Sequence, residues 1–207
     1  MKNTLIQLTV SLLFFTPAMS HANETHLQRG SYHSAGEILM KGQGGWDALS
    51  VDPAAHRLFV SHADRVVVID TLENHVVKEV LDTPGVHCIA LAPDLKKAFS
   101  TNGKDGTVSV ISLDSLATKT KIKVGEKPDA IVYEPASHDV YAFNGNGNSV
   151  SIIDGQSERV VATVALSGKP EFAIADSTTH RIFVNIEDKN SLSALDIDRN
   201  EIKCASS

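Results

Sequence analysis

Apolar and polar residues alternate in short runs along the chain, and turn-forming residues interrupt the runs at spacings of roughly 8–12 residues. Ala130–Tyr133 is apolar and rich in β-formers, and Glu134-Pro135-Ala136-Ser137-His138 reads as a turn. Val140–Phe143 resumes the strand pattern, and Asn144-Gly145-Asn146-Gly147-Asn148 breaks it. Val150–Ile153 then alternates through Ser151, Asp154 closes the run, and Val160–Leu166 follows. No 3.6-residue apolar period survives so many breaks, so the predicted elements are strands and the fold class is all-β.

The strand pattern is itself periodic. Four segments start at Asp47, His87, Asp129 and Glu171, spaced 40, 42 and 42 residues apart. Aligned on those starts they read DALSVDPAAHRLFVSH, HCIALAPDLKKAFSTN, DAIVYEPASHDVYAFN and EFAIADSTTHRIFVNI. Each repeat carries four short strands in about 42 residues, which is the signature of a β-propeller blade. The repeats are 47–86, 87–128, 129–170 and 171–207. Phe59, Phe99, Tyr141 and Phe183 share one position, where they are expected to fill the gap between neighbouring blades. Pro53, Pro93 and Pro135 share another and pre-set φ in the turn after the first strand, with Ser177 in the last repeat. His56, His138 and His180 align in that turn as well, with Lys96 in the second repeat, and read as surface positions.

Pro93-Asp94, Ala98-Phe99-Ser100-Thr101-Asn102, Thr107-Val108-Ser109-Val110-Ile111 and Lys127-Pro128-Asp129-Ala130-Ile131-Val132 resemble the YVTN-repeat, YncE-like β-propeller family. The four-residue signature stands here as Phe59-Val60-Ser61-His62, Phe99-Ser100-Thr101-Asn102, Tyr141-Ala142-Phe143-Asn144 and Phe183-Val184-Asn185-Ile186, and two of the four keep the final Asn. The resemblance runs from Gly36 to about Lys203. It implies a propeller but does not select a function, because the superfamily includes cell-surface proteins, lactonase-like enzymes and domains attached to haem-bearing reductases. Members of this type usually close a ring of about seven blades, whereas here there are four repeats. The expected architecture of 36–207 is therefore a partial propeller of four-stranded antiparallel blades, an open and apparently truncated arc. Gly36–Gly42 resembles the fourth strand of a preceding unit, and Glu201–Cys204 supplies a fourth strand to the last. Apolar flanks left uncovered on the first and last blades predict self-association, and two arcs would bring eight blades together.

Composition narrows the function classes. Met1–Ala22 has a basic start at Lys2, an apolar stretch at Leu5–Phe15 and a small-residue zone at Ser20-His21-Ala22, the pattern of a secretory signal. A stretch of eleven residues is too short to span a bilayer. The expectation is a periplasmic or secreted protein starting near Asn23, with 23–35 as a flexible lead-in. The full chain has 19 basic and 25 acidic residues, and removing the signal takes the net charge from −6 to −7. An acidic chain argues against nucleic-acid binding. Lys119, Lys121 and Lys123 alternate on one strand face and read as guards of an outer edge strand rather than as a phosphate patch.

Four aligned residues carry the candidate chemistry. Asp47, His87, Asp129 and Glu171 each precede the innermost strand of a blade and are expected around one mouth of the central funnel. Carboxylates and an imidazole in such a ring either bind a divalent cation or polar small ligand, or hydrogen-bond backbone in their own loops or bridge to the next blade. Asp70, Asp154 and Asp196 recur at the end of the third strand as turn formers. No nucleophile-elbow, zinc-protease or c-haem motif occurs, so no catalytic residue, metal or cofactor is assigned. Cys88 is expected as a buried thiol, with a Cys88–Cys204 disulfide left open. The reading is an exported binding or scaffold module for a small ligand or protein partner, leaning away from an enzyme. A lactonase-like or metal-dependent hydrolase remnant and a docking domain for a periplasmic redox enzyme stand as alternatives.

Overall fold

The computed structural model describes residues 33–199 and the backbone of 201–203. The expected signal and most of the lead-in, as well as Cys204, lie outside the described residues. Sixteen strands fall into four antiparallel sheets, each made of four consecutive strands in chain order. Blade 1 comprises β1 Trp46–Asp52, β2 Arg57–His62, β3 Arg65–Asp70 and β4 His75–Val80. Blade 2 comprises β5 Val86–Ala92, β6 Lys97–Asn102, β7 Thr107–Ser112 and β8 Ala117–Lys123. Blade 3 comprises β9 Pro128–Glu134, β10 Asp139–Asn144, β11 Ser149–Asp154 and β12 Arg159–Ala165. Blade 4 comprises β13 Pro170–Asp176, β14 Arg181–Ile186, β15 Ser191–Asp196 and β16 Glu201–Lys203. The four blades form an open β-propeller with no closed ring. Short 3₁₀ turns at Pro93–Leu95 and Glu187–Lys189, absent from the sequence expectation, tighten two of the connections.

Successive blades pack face to face, and the aligned positions sort cleanly between the two faces. The face turned toward the next blade carries Phe59, Val66 and Val68 in blade 1, which cluster with Ile89, Leu91, Ala98 and Ile111 of blade 2. Phe99, Val108 and Val110 of blade 2 cluster with Ile131, Val140, Ala142 and Ile153 of blade 3. Tyr141, Val150 and Ile152 of blade 3 cluster with Ile182, Val184 and Leu195 of blade 4. Three of the four aligned aromatics thus fill gaps between blades and are fully buried. Phe183 has no following blade among the described residues and lines a depression on the open side.

Polar contacts repeat across these interfaces. Arg57 Nη1 donates to the Leu113 carbonyl of blade 2 at 2.6 Å. Lys97, at the same position one repeat later, donates to the Gly155 carbonyl of blade 3 at 2.8 Å and pairs with Glu158 at 2.7 Å. Thr101 Oγ1 donates to the Asp129 carbonyl at 2.8 Å.

Inside a blade the signature Asn acts as a clamp. Asn102 Nδ2 donates to Thr107 Oγ1 and Ser109 Oγ at 2.9 and 2.8 Å. Asn144 Nδ2 donates to Ser149 Oγ and Ser151 Oγ at 3.1 and 3.0 Å, and its Oδ1 accepts the Gly125 N–H at 3.1 Å. A Cβ on Gly125 would lie 2.5 Å from Asn144 Cγ, so only glycine fits there. Blade 1 has His62 at the clamp position and Val67 where Ser109 and Ser151 stand. Both His62 ring nitrogens lack a hydrogen-bond partner, and the buried ring instead stacks on Trp46 at 3.8 Å and 7°.

One expectation needs revision. Gly36–Gly42 is not a strand: it has no paired neighbour, and its Ile38 and Met40 pack on Val60, Val67 and Ile69 on the open side of blade 1. A fourth strand forms ladder bonds with a third, and no preceding blade offers one among the described residues. The recurring turn position of His56, Lys96, His138 and His180 lies at the surface, with three of the four side chains exposed, and all four adopt left-handed backbone, φ 51–59°. His138 also reaches across to Asp94 of blade 2 at 3.0 Å, and His180 pairs with Asp198 at 3.1 Å. The lysine row does lie on the outer strand β8, but Lys121 is tied to Asp82 at 2.9 Å and Lys123 donates to the Asp105 carbonyl at 2.7 Å. Asp70 and Asp154 cap their turns as expected, each accepting two backbone N–H groups that hold its carboxyl below the ordinary range.

Candidate functional site at the funnel mouth

Each candidate residue is the second residue of its blade's first strand. The ladder to the second strand slips at that point, between Trp46 and Leu49, Val86 and Ile89, and Pro170 and Ala173, with the matching irregularity in blade 3. Such a bulge re-aims a side chain out of the regular alternation. The loop just before it is locked in every blade by the same bond. The carbonyls of Gly45, Gly85, Lys127 and Lys169 accept the N–H of Ala63, Gly103, Gly145 and Glu187 at 2.8–3.0 Å. The repeat therefore builds four equivalent mounts at one end of the arc.

Three of the four side chains converge. His87 Nδ1 lies 2.8 Å from Asp47 Oδ2 and 3.2 Å from Asp129 Oδ1, which links blades 1, 2 and 3. The potential ligand atoms of the three residues lie within 4.8 Å of one another. A single Nδ1–H cannot fully satisfy two carboxylates, so the arrangement retains acceptor capacity. Asp129 is 8% exposed and takes Lys127 Nζ at 3.4 Å on its other oxygen. The His87 ring is seated against Gly103, where a Cβ would lie 2.8 Å from Nε2. Glu171 stands apart from this cluster, beside Lys169 at 3.5 Å, and Lys169 is also paired with Glu187.

A groove of about 810 Å³ opens beside His87. Its walls include Lys104, Lys123 and Lys127 along with Gly85, Gly103 and Gly125. The site thus sets carboxylates and an imidazole against a rim of lysines, and sequence reasoning missed that rim. Lys127 and Lys169 stand two residues before the aligned acids in two consecutive repeats, which is the signal that could have shown it.

Cys88 lies under the mouth and is a free thiol. Burial, with the charges of Asp47, Asp129 and Glu171, pushes it up to about 12 from an ordinary value of 9.0. The thiolate is the nucleophile, so the raised value disfavours reaction of this cysteine at neutral pH. Because its folded value is raised, its contribution to stability is complete below pH 9 and is lost as the pH rises toward 12. In a Cys204→Ser background, maleimide labelling at neutral pH should be slow and should speed up only with unfolding. Fast labelling of the folded protein would contradict the partly buried thiol of raised pKa.

No family model matches the chain, and no curated protein matches it. Among solved structures, hydrazine synthase of Kuenenia stuttgartiensis is similar with a TM-score of 0.73 at 19% identity, over 83% of this chain and 51% of that one. The WD40 repeats of RRP9 match with a TM-score of 0.70 at 14% identity, over 80% and 52%. The WD40 β-propeller domain of Doa1 matches with a TM-score of 0.61 at 16% identity, over 72% and 49%. The chain spans about half the length of these propeller chains. At such identities the likeness shows the fold alone.

Proposed function

We propose that the chain is an exported, non-catalytic interaction module of the YVTN-repeat type, which binds a divalent cation or small polar ligand at the funnel mouth and docks partners through its open flanks. The observation that carries the reading is the convergence of Asp47, His87 and Asp129 from three blades. One imidazole nitrogen and two carboxylates suit a first-row divalent cation. Export rests on the pattern of Met1–Ala22, and among the described residues no helix is long and apolar enough to cross a membrane. The protein-interaction role is consistent with the propeller neighbours and with the apolar blade faces left exposed at both ends of the arc.

Zn²⁺, Ni²⁺, Mn²⁺ or Ca²⁺ should raise the melting temperature of the chain, because a ligand held at a hundred times its Kd adds about 2.7 kcal/mol of stability. His87→Ala and Asp129→Ala should each abolish that rise, and Glu171→Ala, which lies outside the cluster, should leave most of it. If none of the four cations shifts the melting temperature, the cation site is refuted. Cation-dependent hydrolysis of lactone substrates, lost in His87→Ala, would favour the hydrolase alternative.

A further inference from the structure

The reading that the flanks are docking surfaces leaves their partner unnamed, and the blade faces identify it. The open side of blade 4 exposes Phe172, Ile174 and Leu192 at 62%, 69% and 60%, around Phe183. Phe183 and Leu192 are the counterparts of Phe99 and Val108, which pack on the following blade. The open side of blade 1 exposes Leu49 and Val51 at 64% and 58%. These are the counterparts of Ile89 and Leu91, which receive the preceding blade. One molecule therefore presents both halves of an interface that it already forms three times internally. We propose that the partner is a second copy of this chain, docked head to tail, with blade 4 of each copy packed on blade 1 of the other in an eight-bladed two-fold ring.

Polar groups support the same pairing. Arg181 occupies the position of Arg57 and Lys97, which donate to the turn carbonyls of Leu113 and Gly155 on the next blade. Thr71 is the equivalent carbonyl on blade 1, so Arg181 is set to donate to Thr71 of a second copy. Asn185 occupies the position of Thr101. As Thr101 does for Cys88, it accepts the N–H of the bulged first strand, here Phe172 at 2.6 Å. Thr101 also donates to the Asp129 carbonyl, and the Asn185 amide carries the N–H to do so toward Asp47 of the other copy. Ile38 and Met40 are compatible with this docking. They lie over Val60, Val67 and Ile69 and would form part of the contact, because Ile69 is the counterpart of Ile111, and they leave Leu49 and Val51 open.

A head-to-tail contact between two copies closes when the rotation is two-fold and otherwise propagates as a filament. Sedimentation of the purified chain at about 10 µM should show a dimer. Ile174→Asp and Leu49→Asp each place a charge on one half of the interface, at exposed positions that cost the fold little, and each should convert the dimer to monomer. In a Cys88→Ala, Cys204→Ser background, a short bismaleimide should link a Leu49→Cys copy to a Phe172→Cys copy and should link neither variant to itself. A wild-type monomer at that concentration, or a ladder of larger species, overturns the closed dimer. If Ile174→Asp disrupts the dimer and Leu49→Asp does not, head-to-tail pairing is wrong and flank docking survives. If neither matters, both fall.

Discussion

Phe99→Ala is expected to lower the unfolding free energy by roughly 3–5 kcal/mol. The ring is fully buried between blades 2 and 3, against Val108 and Val110 on its own sheet and Val140 and Ile153 on the next. A core aromatic enclosed by two stiff sheets leaves a cavity that neither sheet can collapse into, so the transfer and cavity costs add. Phe183→Ala removes the same group from the aligned position on the open side, where the ring is only partly buried. It should cost a monomer clearly less. Equilibrium denaturation of both variants measures the difference, and equal losses would mean that the inter-blade gap is not where the aligned aromatic acts.

Asn144→Ala should cost roughly 2–4 kcal/mol, most of it from polar groups left without partners. The amide of the fully buried Asn144 joins three groups, the hydroxyls of Ser149 and Ser151 and the Gly125 N–H, of which Ser151 is buried and the other two half-buried. Alanine strands all three, and the glycine that allows their close approach then borders a void. His62→Ala in blade 1 provides the comparison, because His62 makes no hydrogen bond and its loss is one of volume and stacking. A hydrogen-exchange experiment adds a local readout: the Gly125 amide should lose protection in Asn144→Ala. Unchanged protection at Gly125 would show that the clamp does not anchor that loop.

Much of this was legible in the chain because it is written in local terms. Alternation and turn chemistry placed the strands to within a residue or two, and the spacing of Asp47, His87, Asp129 and Glu171 placed the blades. The aligned Phe59, Phe99 and Tyr141 marked the inter-blade gap for the same reason, since repetition exposes what a single position conceals. What escaped depended on a neighbour. Gly36–Gly42 resembles the fourth strands of the other repeats, but a strand also needs a ladder partner, and Ile38 and Met40 instead settle on blade 1. The left-handed turn at His56, His138 and His180 eluded a reading that relies on glycine to signal positive φ. The candidate site was half legible. Equal spacing implied four equivalent ligands, yet geometry gathers Asp47, His87 and Asp129 and leaves Glu171 with Lys169. His87 has an acid on each neighbouring blade to pair with, whereas the aligned neighbour of Glu171 is the acidic Asp129, and Glu171 pairs with Lys169 instead.

The open ring has a kinetic meaning. In a closed propeller the first and last elements must meet before either is protected, which imposes a long loop-closure penalty on folding. Here blades 2 and 3 each touch the blades before and after them in sequence, and among the described residues blades 1 and 4 have one neighbouring blade each. Contact formation can spread from the centre along the chain without waiting for distant ends, as in a linear array. Amide protection should then fall from the middle blades toward the outer two, with β1–β4 and β13–β16 opening at lower free energy than β5–β12. In such an array rigidity is expected to be graded along its length, highest at blades 2 and 3 and lowest at blades 1 and 4.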